Sequence, residues 1–157
     1  MIFVSVGTHK QQFNRLLKEI DLLIEKKVIK EIVFAQVGHS DYKPENYSYK
    51  KFIGIEEFDK YIKKCSVFIT HAGEGNIGTG LQYEKKMIVI SRRKKFGEHT
   101  NDHQLELASA IKKEKQAIVI ESEKEIEKAL SKTAKLKINK TLHAEKIIQL
   151  IGAFLDE

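Results

Sequence analysis

Short runs of β-branched and aromatic residues alternate along this chain with stretches whose apolar positions recur every three or four residues. Residues 2–6 read as a strand that ends at Gly7. Residues 13–24 read as a helix, with Leu16, Leu17, Ile20, Leu23 and Ile24 on one face. A strand over 31–37 ends at Gly38, and a polar loop with the only proline, Pro44, follows. A short strand over 52–55, a helix over 56–64 and a strand over 67–70 come next, the last running into His71-Ala72-Gly73. A helix is expected over 76–83 despite Gly78 and Gly80, then a strand over 87–90. Residues 102–113 form the next helix, with Leu105, Leu107, Ala108 and Ile111. A strand over 117–120 precedes two helices, at about 123–134 and 141–155.

Strands that are apolar on both faces and alternate with helices predict an α/β domain, a Rossmann-like parallel sheet flanked by helices. One domain over 1–157 suits the length. Sheets of this kind bind ligands outside the carboxyl ends of their strands. The segments expected there are Gly7-Thr8-His9, Gly38-His39-Ser40, Ile55-Glu56, 71–75 and 91–95.

Composition and charge narrow the picture further. Apolar residues make up 41% of the chain, an ordinary share for a globular core. The single cysteine, Cys65, excludes an internal disulfide framework and a Cys-based zinc site. The opening MIFVSVGTHK lacks the basic start of a signal peptide, and no run approaches the ~20 apolar residues of a membrane span, so a soluble, cytoplasmic protein is expected. The net charge of +6 comes mostly from lysines on helix faces, and no nucleic-acid partner is expected. Arg92-Arg93-Lys94-Lys95 differs, because it directly follows an apolar strand.

Three segments carry candidate chemistry. Gly7-Thr8-His9 joins a strand to a helix, where glycine allows close backbone approach and a helix N-terminus offers free N–H groups to phosphate. It lacks the spacing of a Walker A loop or of a dinucleotide fingerprint. The turn His71-Ala72-Gly73-Glu74-Gly75-Asn76 repeats that logic more densely. Asn76 is expected to cap the helix, His71 to donate a further hydrogen bond, and a diphosphate to sit on the N–H groups. A tight strand-to-helix corner is the plainer reading of either turn. The stretch 96–104 is unusually polar, and its Asp102, His103 and Gln104 suit sugar hydroxyls. His99 and His103 are spaced His-x-x-x-His, but no carboxylate pattern completes a zinc motif, so no metal is expected. No serine nucleophile elbow is present, and Cys65 reads as a core residue.

Together these segments resemble the C-terminal domain of family 28 glycosyltransferases. The likeness rests on Phe3-Val4-Ser5-Val6-Gly7-Thr8, on Thr70-His71-Ala72-Gly73-x-Gly75 and on Asn101-Asp102-His103-Gln104-Leu105-Glu106-Leu107-Ala108. Phe96-Gly97-Glu98-His99 followed by Asn101-Asp102-His103-Gln104 is similar to the narrower PssE-type transferases of bacterial exopolysaccharide and capsule synthesis. Those are relatives of the catalytic subunit of the bipartite UDP-GlcNAc transferase of N-glycan assembly. The resemblance implies the donor-binding half of a GT-B fold and an inverting hexosyltransferase (galactosyl, N-acetylglucosaminyl, glucosyl or glucuronosyl). The donor would be a UDP-sugar and the acceptor a lipid-linked saccharide. A membrane-anchored subunit would supply the acceptor domain and hold the chain at the inner face of the cell membrane. No cofactor is implied.

The same resemblance assigns roles. Gly7 and Thr8 would line the diphosphate, and Ile55 would meet the uracil. His71, Gly73, Gly75 and Asn76 would hold phosphate and the start of the donor sugar. His103 and Gln104 would contact sugar hydroxyls, and Arg92 would neutralise diphosphate or meet anionic lipid. His9, Glu98 and His99 are the candidates for the catalytic base. Two departures stand out. The family's ribose-binding glutamate falls at Thr79, and a proline before the next strand is replaced by Lys86. Thr79 supports a second reading, a non-catalytic donor-domain module that regulates or stabilises another glycosyltransferase. The apolar face of the last helix, with Ile147, Ile148, Ile151, Phe154 and Leu155, suits packing on its own sheet or docking to a partner.

Overall fold

The computed structural model describes residues 1–138, together with 149, 151 and 152. In chain order the elements are β1 (Ile2–Ser5), α1 (Asn14–Glu25), β2 (Val33–Gln36), β3 (Ser48–Lys50), α2 (Ile55–Lys64), β4 (Val67–His71), α3 (Glu74–Gln82), β5 (Lys86–Ile90), α4 (Gln104–Lys113), β6 (Ile118–Ile120) and α5 (Ile126–Thr133). Single 3-10 turns lie at Lys94–Phe96 and Glu123–Glu125. The six strands form one parallel sheet in the order β3-β2-β1-β4-β5-β6. That is the doubly wound order, and its direction reverses between β1 and β4.

The strand sequences explain the two layers. Side chains alternate across a strand, so Ile2 and Val4 of β1 join one core while Phe3 joins the other. The first core packs the sheet against α1, through Leu16, Leu17, Ile20 and Leu23, and against α5, through Ile126 and Ala129. The second packs it against α2 (Ile62), α3 (Ile77, Leu81) and α4 (Leu107, Ala108, Ile111). Rings dominate the second core where α2 meets the sheet. Tyr61 stacks on Phe34 with centroids 3.8 Å apart, and Phe58 meets Phe3 edge-on at 5.0 Å. These contacts fix α2 over β1 and β2.

The expected strand over 52–55 is corrected. The third strand is instead the polar edge Ser48–Lys50, residues 52–54 are irregular, and Ile55 opens α2. Periodicity missed it because an edge strand of three residues carries a single inward side chain, Tyr49, which packs on the first core. The helix expected over 123–134 is also divided. Ser122 and Glu125 form a capping box over the 3-10 turn, and the α-helix begins at Ile126. The helix expected over 141–155 lies outside the described residues, apart from Gln149, Ile151 and Gly152, which are helical.

Candidate functional site

A cleft of about 410 Å³ opens at the point where the strand order reverses, outside the carboxyl ends of β1, β2 and β4. Gly7, Thr8, Gln36 and His71 form its floor. Ile53, Gly54, Ile55, Phe58 and Asp59 line the α2 wall, and Gly73, Glu74, Gly75, Asn76 and Thr79 line the α3 wall. Seven of the expected donor residues therefore meet in one place: Gly7, Thr8, Ile55, His71, Gly73, Gly75 and Asn76. Thr79 joins them one turn deeper along α3.

The floor is a packed unit. Gly7 has φ +74°, a left-handed conformation that favours glycine, and a side chain on it would collide with the His71 ring. A side chain at Gly73 would strike the same ring. The imidazole thus fills the space between the two glycine turns. Burial, with the Arg92 charge next, pushes the His71 pKa down to about 3, so the ring is neutral at physiological pH.

The α3 wall ends in an uncapped helix N-terminus. Gly73 is its N-cap, and no side chain caps it. Asn76 does not cap, contrary to expectation. Its amide reaches back to Ser5 Oγ at 2.9 Å and Thr70 Oγ1 at 2.8 Å, which pins the first turn of α3 onto β1 and β4. The first-turn N–H groups remain facing the cleft end of a helix whose dipole favours negative charge. No lysine or arginine lines this cleft among the described residues.

Arg92 lies beneath the site, in the protein interior. Its guanidinium donates to the carbonyl oxygens of Val6 (2.5 Å), Gln11 (2.9 Å), Gln12 (3.1 Å) and Glu98 (3.1 Å), and its ring-facing side stacks over Phe13. It has no surface from which to touch lipid, being 0% exposed. The residue ties the loop after β1 to the loop after β5. Glu98 completes that tie. Both of its oxygens receive Arg15, at 2.6 Å and 3.1 Å, and Oε2 also accepts the Arg93 N–H at 2.9 Å.

The remaining candidates sit beside the cleft. The His9 and His99 rings stack with centroids 4.2 Å apart. His99 Nδ1 accepts the Asn101 N–H at 3.2 Å. His9 Nδ1 is buried without a partner among the described residues, and burial, His99 and Arg92 all lower its pKa. Gln104 is buried, with Oε1 accepting the Arg92 N–H at 3.0 Å, and His103 is exposed at the start of α4. Neither lines the cleft. Gln36, Phe58 and Asp59 do line it and were not expected, and Glu74 lines it within the expected turn. Gln36 was the most legible of these, a polar residue near the end of an apolar strand.

A doubly wound parallel sheet with glycine turns and an uncapped helix N-terminus at its point of reversal defines a Rossmann-like domain suited to an anionic nucleotide. The chain belongs to the glycosyltransferase family 28 C-terminal domain family, which it matches over residues 1–152. It is 27% identical over 153 residues to the uncharacterized UDP-glucosyltransferase YojK of Bacillus subtilis (strain 168), covering 93% of this chain and 34% of that protein. The crystal structure of the glycotransferase of kitacinnamycin superposes with a TM-score of 0.64 at 18% identity, covering 99% of this chain and 39% of the other. The chain thus spans about a third of the curated relative and about two fifths of the solved chain. The fold is the Rossmann-like half of a GT-B architecture. No helix among the described residues is long and apolar enough to cross a membrane.

Proposed function

We propose that this chain binds the UDP-sugar donor of an inverting glycosyltransferase. The observation that carries the reading is the cleft itself, where the glycine turns after β1 and β4 meet the uncapped start of α3 opposite an apolar wall. The diphosphate lies on the N–H groups at Gly73 to Asn76 and beside Gly7 and Thr8. The uracil lies against Ile55 and Phe58, where the backbone of 53–55 reads its edge. His71 is a neutral packing element that sets the spacing of the two turns and holds the end of the donor bearing phosphate. Arg92 supplies positive potential from below, across the loop it organises.

Of the three candidates for the base, His9 suits the role best. Glu98 has both oxygens committed to Arg15 and Arg93, and His99 supports the His9 ring from one face. Burial, then His99 and Arg92, lower the His9 pKa, which favours the neutral ring that can take the proton from an acceptor hydroxyl. His103, exposed ahead of α4, reaches the sugar from that side, while Gln104 is buried and holds the start of α4 against Arg92.

In the finer form of the proposal, a membrane-anchored subunit presents a lipid-linked saccharide at the inner face of the cell membrane, for bacterial exopolysaccharide or capsule synthesis. The likeness of 96–104 to PssE-type transferases supports it. The test is turnover after co-expression with such a subunit, using UDP-glucose, UDP-galactose, UDP-GlcNAc and UDP-glucuronate. Transfer of one of these sugars with inversion is expected. Donor binding without transfer in any combination would favour the second reading, a donor-domain module without turnover, which Thr79 supports.

A further inference from the structure

The cleft contains one carboxylate that is held in place and yet half unused. Asp59 stands on the second turn of α2 and lines the cleft together with Thr79 of α3. Its Oδ2 accepts two hydrogen bonds, from the Tyr83 hydroxyl at 2.8 Å and from Lys63 Nζ at 3.3 Å. Its Oδ1 has no partner among the described residues. Tyr83 follows α3, so the Tyr83 bond ties the α2 wall to the α3 wall at the level of Asp59. The Tyr83 hydrogen bond holds the carboxyl below its ordinary range against the opposing effect of burial, with Lys63 adding to it, which favours the ionised form.

The other polar groups nearby are less suited to two vicinal hydroxyls. Thr79 spends its proton on the Gly75 carbonyl at 2.8 Å. Gln36 Oε1 accepts the Ile53 N–H, and its amide nitrogen donates to Ser5 Oγ. Glu74 belongs to the first turn of α3, where a diphosphate would repel it. A nucleotide with its phosphates at that turn and its base against Ile55 and Phe58 must carry its ribose across the gap between α2 and α3. Asp59 and Thr79 face that gap from its two sides.

We propose that Asp59 accepts the ribose hydroxyls of the donor nucleotide, so that the carboxylate needed for a vicinal diol comes from α2 in this chain. The inference rests on the donor-binding reading above. A carboxylate oxygen fixed by two partners loses little entropy on receiving a hydroxyl, and a charge-assisted bond to it is among the stronger neutral-ligand contacts. Thr79 contributes as an acceptor from the opposite wall.

The experiment is calorimetric titration of the wild-type chain with UDP, 2′-deoxy-UDP and 3′-deoxy-UDP, repeated on Asp59→Ala. The wild type should bind UDP roughly ten- to a hundredfold more tightly than the weaker deoxy analogue. In Asp59→Ala that gap should close, with affinity for the deoxy analogue little changed. Adding Thr79→Glu to Asp59→Ala should reopen it, because a carboxylate then enters from the facing helix. Asp59→Asn, which keeps the size and the Tyr83 contact, serves the same comparison where the alanine variant does not fold. A wild type that binds UDP and its deoxy analogues equally would overturn the inference. So would a gap that survives in Asp59→Ala, or one that vanishes in Glu74→Gln instead. Absence of any UDP binding to the folded wild type would overturn the donor reading itself.

Discussion

The imidazole of His71 occupies the space that a side chain at Gly73 would need. The glycine is therefore required by the protein as well as by any ligand. Gly73→Ala must displace the ring, and Gly7→Ala must do so from a left-handed backbone as well. Each should lower stability by ~1–3 kcal/mol in denaturant titrations, with Gly7→Ala the more severe. Unchanged midpoints in both would mean that the ring is not wedged between the turns.

His71 also sets a pH dependence. Its folded pKa of about 3 lies below the ordinary 6.5, so the unfolded chain binds the extra proton first. Stability is present in full above pH 6.5 and is lost as pH falls toward 3. Between pH 6.5 and 5, above the carboxylate range, the loss should approach ~1.4 kcal/mol per pH unit. His71→Asn should flatten that slope in chemical denaturation at several pH values, whatever it does to the absolute stability.

Arg15 and Glu98 form a two-point ion pair whose carboxylate is 1% exposed. Removing one partner leaves a buried charge, so Glu98→Gln and Arg15→Met should each cost ~2–4 kcal/mol. The double variant should cost less than the sum. If Glu98 were instead a free base, Glu98→Gln would abolish transfer with the melting temperature unchanged.

For His9 the expected signature is kinetic. With the acceptor subunit present, His9→Asn should reduce turnover by ~10²–10⁴ while leaving UDP affinity intact. The acidic limb of the wild-type profile should fall below pH 6.5, because burial, His99 and Arg92 all lower the His9 pKa. An acidic limb above 6.5, or an active His9→Asn variant, would remove His9 from the role.

The sheet was legible because β1, β2, β4 and β5 are continuous apolar runs, and their two faces can be read from alternation alone. The edge strand Ser48–Lys50 was not, since it is held by its pairing to β2 and its sequence carries almost no apolar signal. The site was legible where it depends on local backbone. Gly7, Gly73 and Gly75 all stand where strand-end reasoning put them. It was illegible where long-range packing decides the role. Arg92 follows a strand and reads as a cation for phosphate or lipid, yet carbonyls from the loops after β1 and β5 bury it. Asn76 reads as a cap and serves as a tie to Ser5 and Thr70. Asp59 sits in an ordinary amphipathic helix and gains meaning only once α3 lies opposite.

Gly75 allows the most direct test of donor binding. A side chain there meets nothing in the protein within 4 Å, and the residue is exposed in the first turn of α3. Gly75→Ala should therefore leave stability equal or raised by up to ~1 kcal/mol. Titration of UDP into the wild-type chain and into Gly75→Ala is the decisive measurement. Saturable binding to the wild type is expected, with a loss of roughly tenfold or more in the variant at equal or higher melting temperature, because the methyl group occupies the approach of the diphosphate. No binding of UDP to the folded wild type at millimolar concentration, or identical binding by both proteins, would contradict the donor-binding reading.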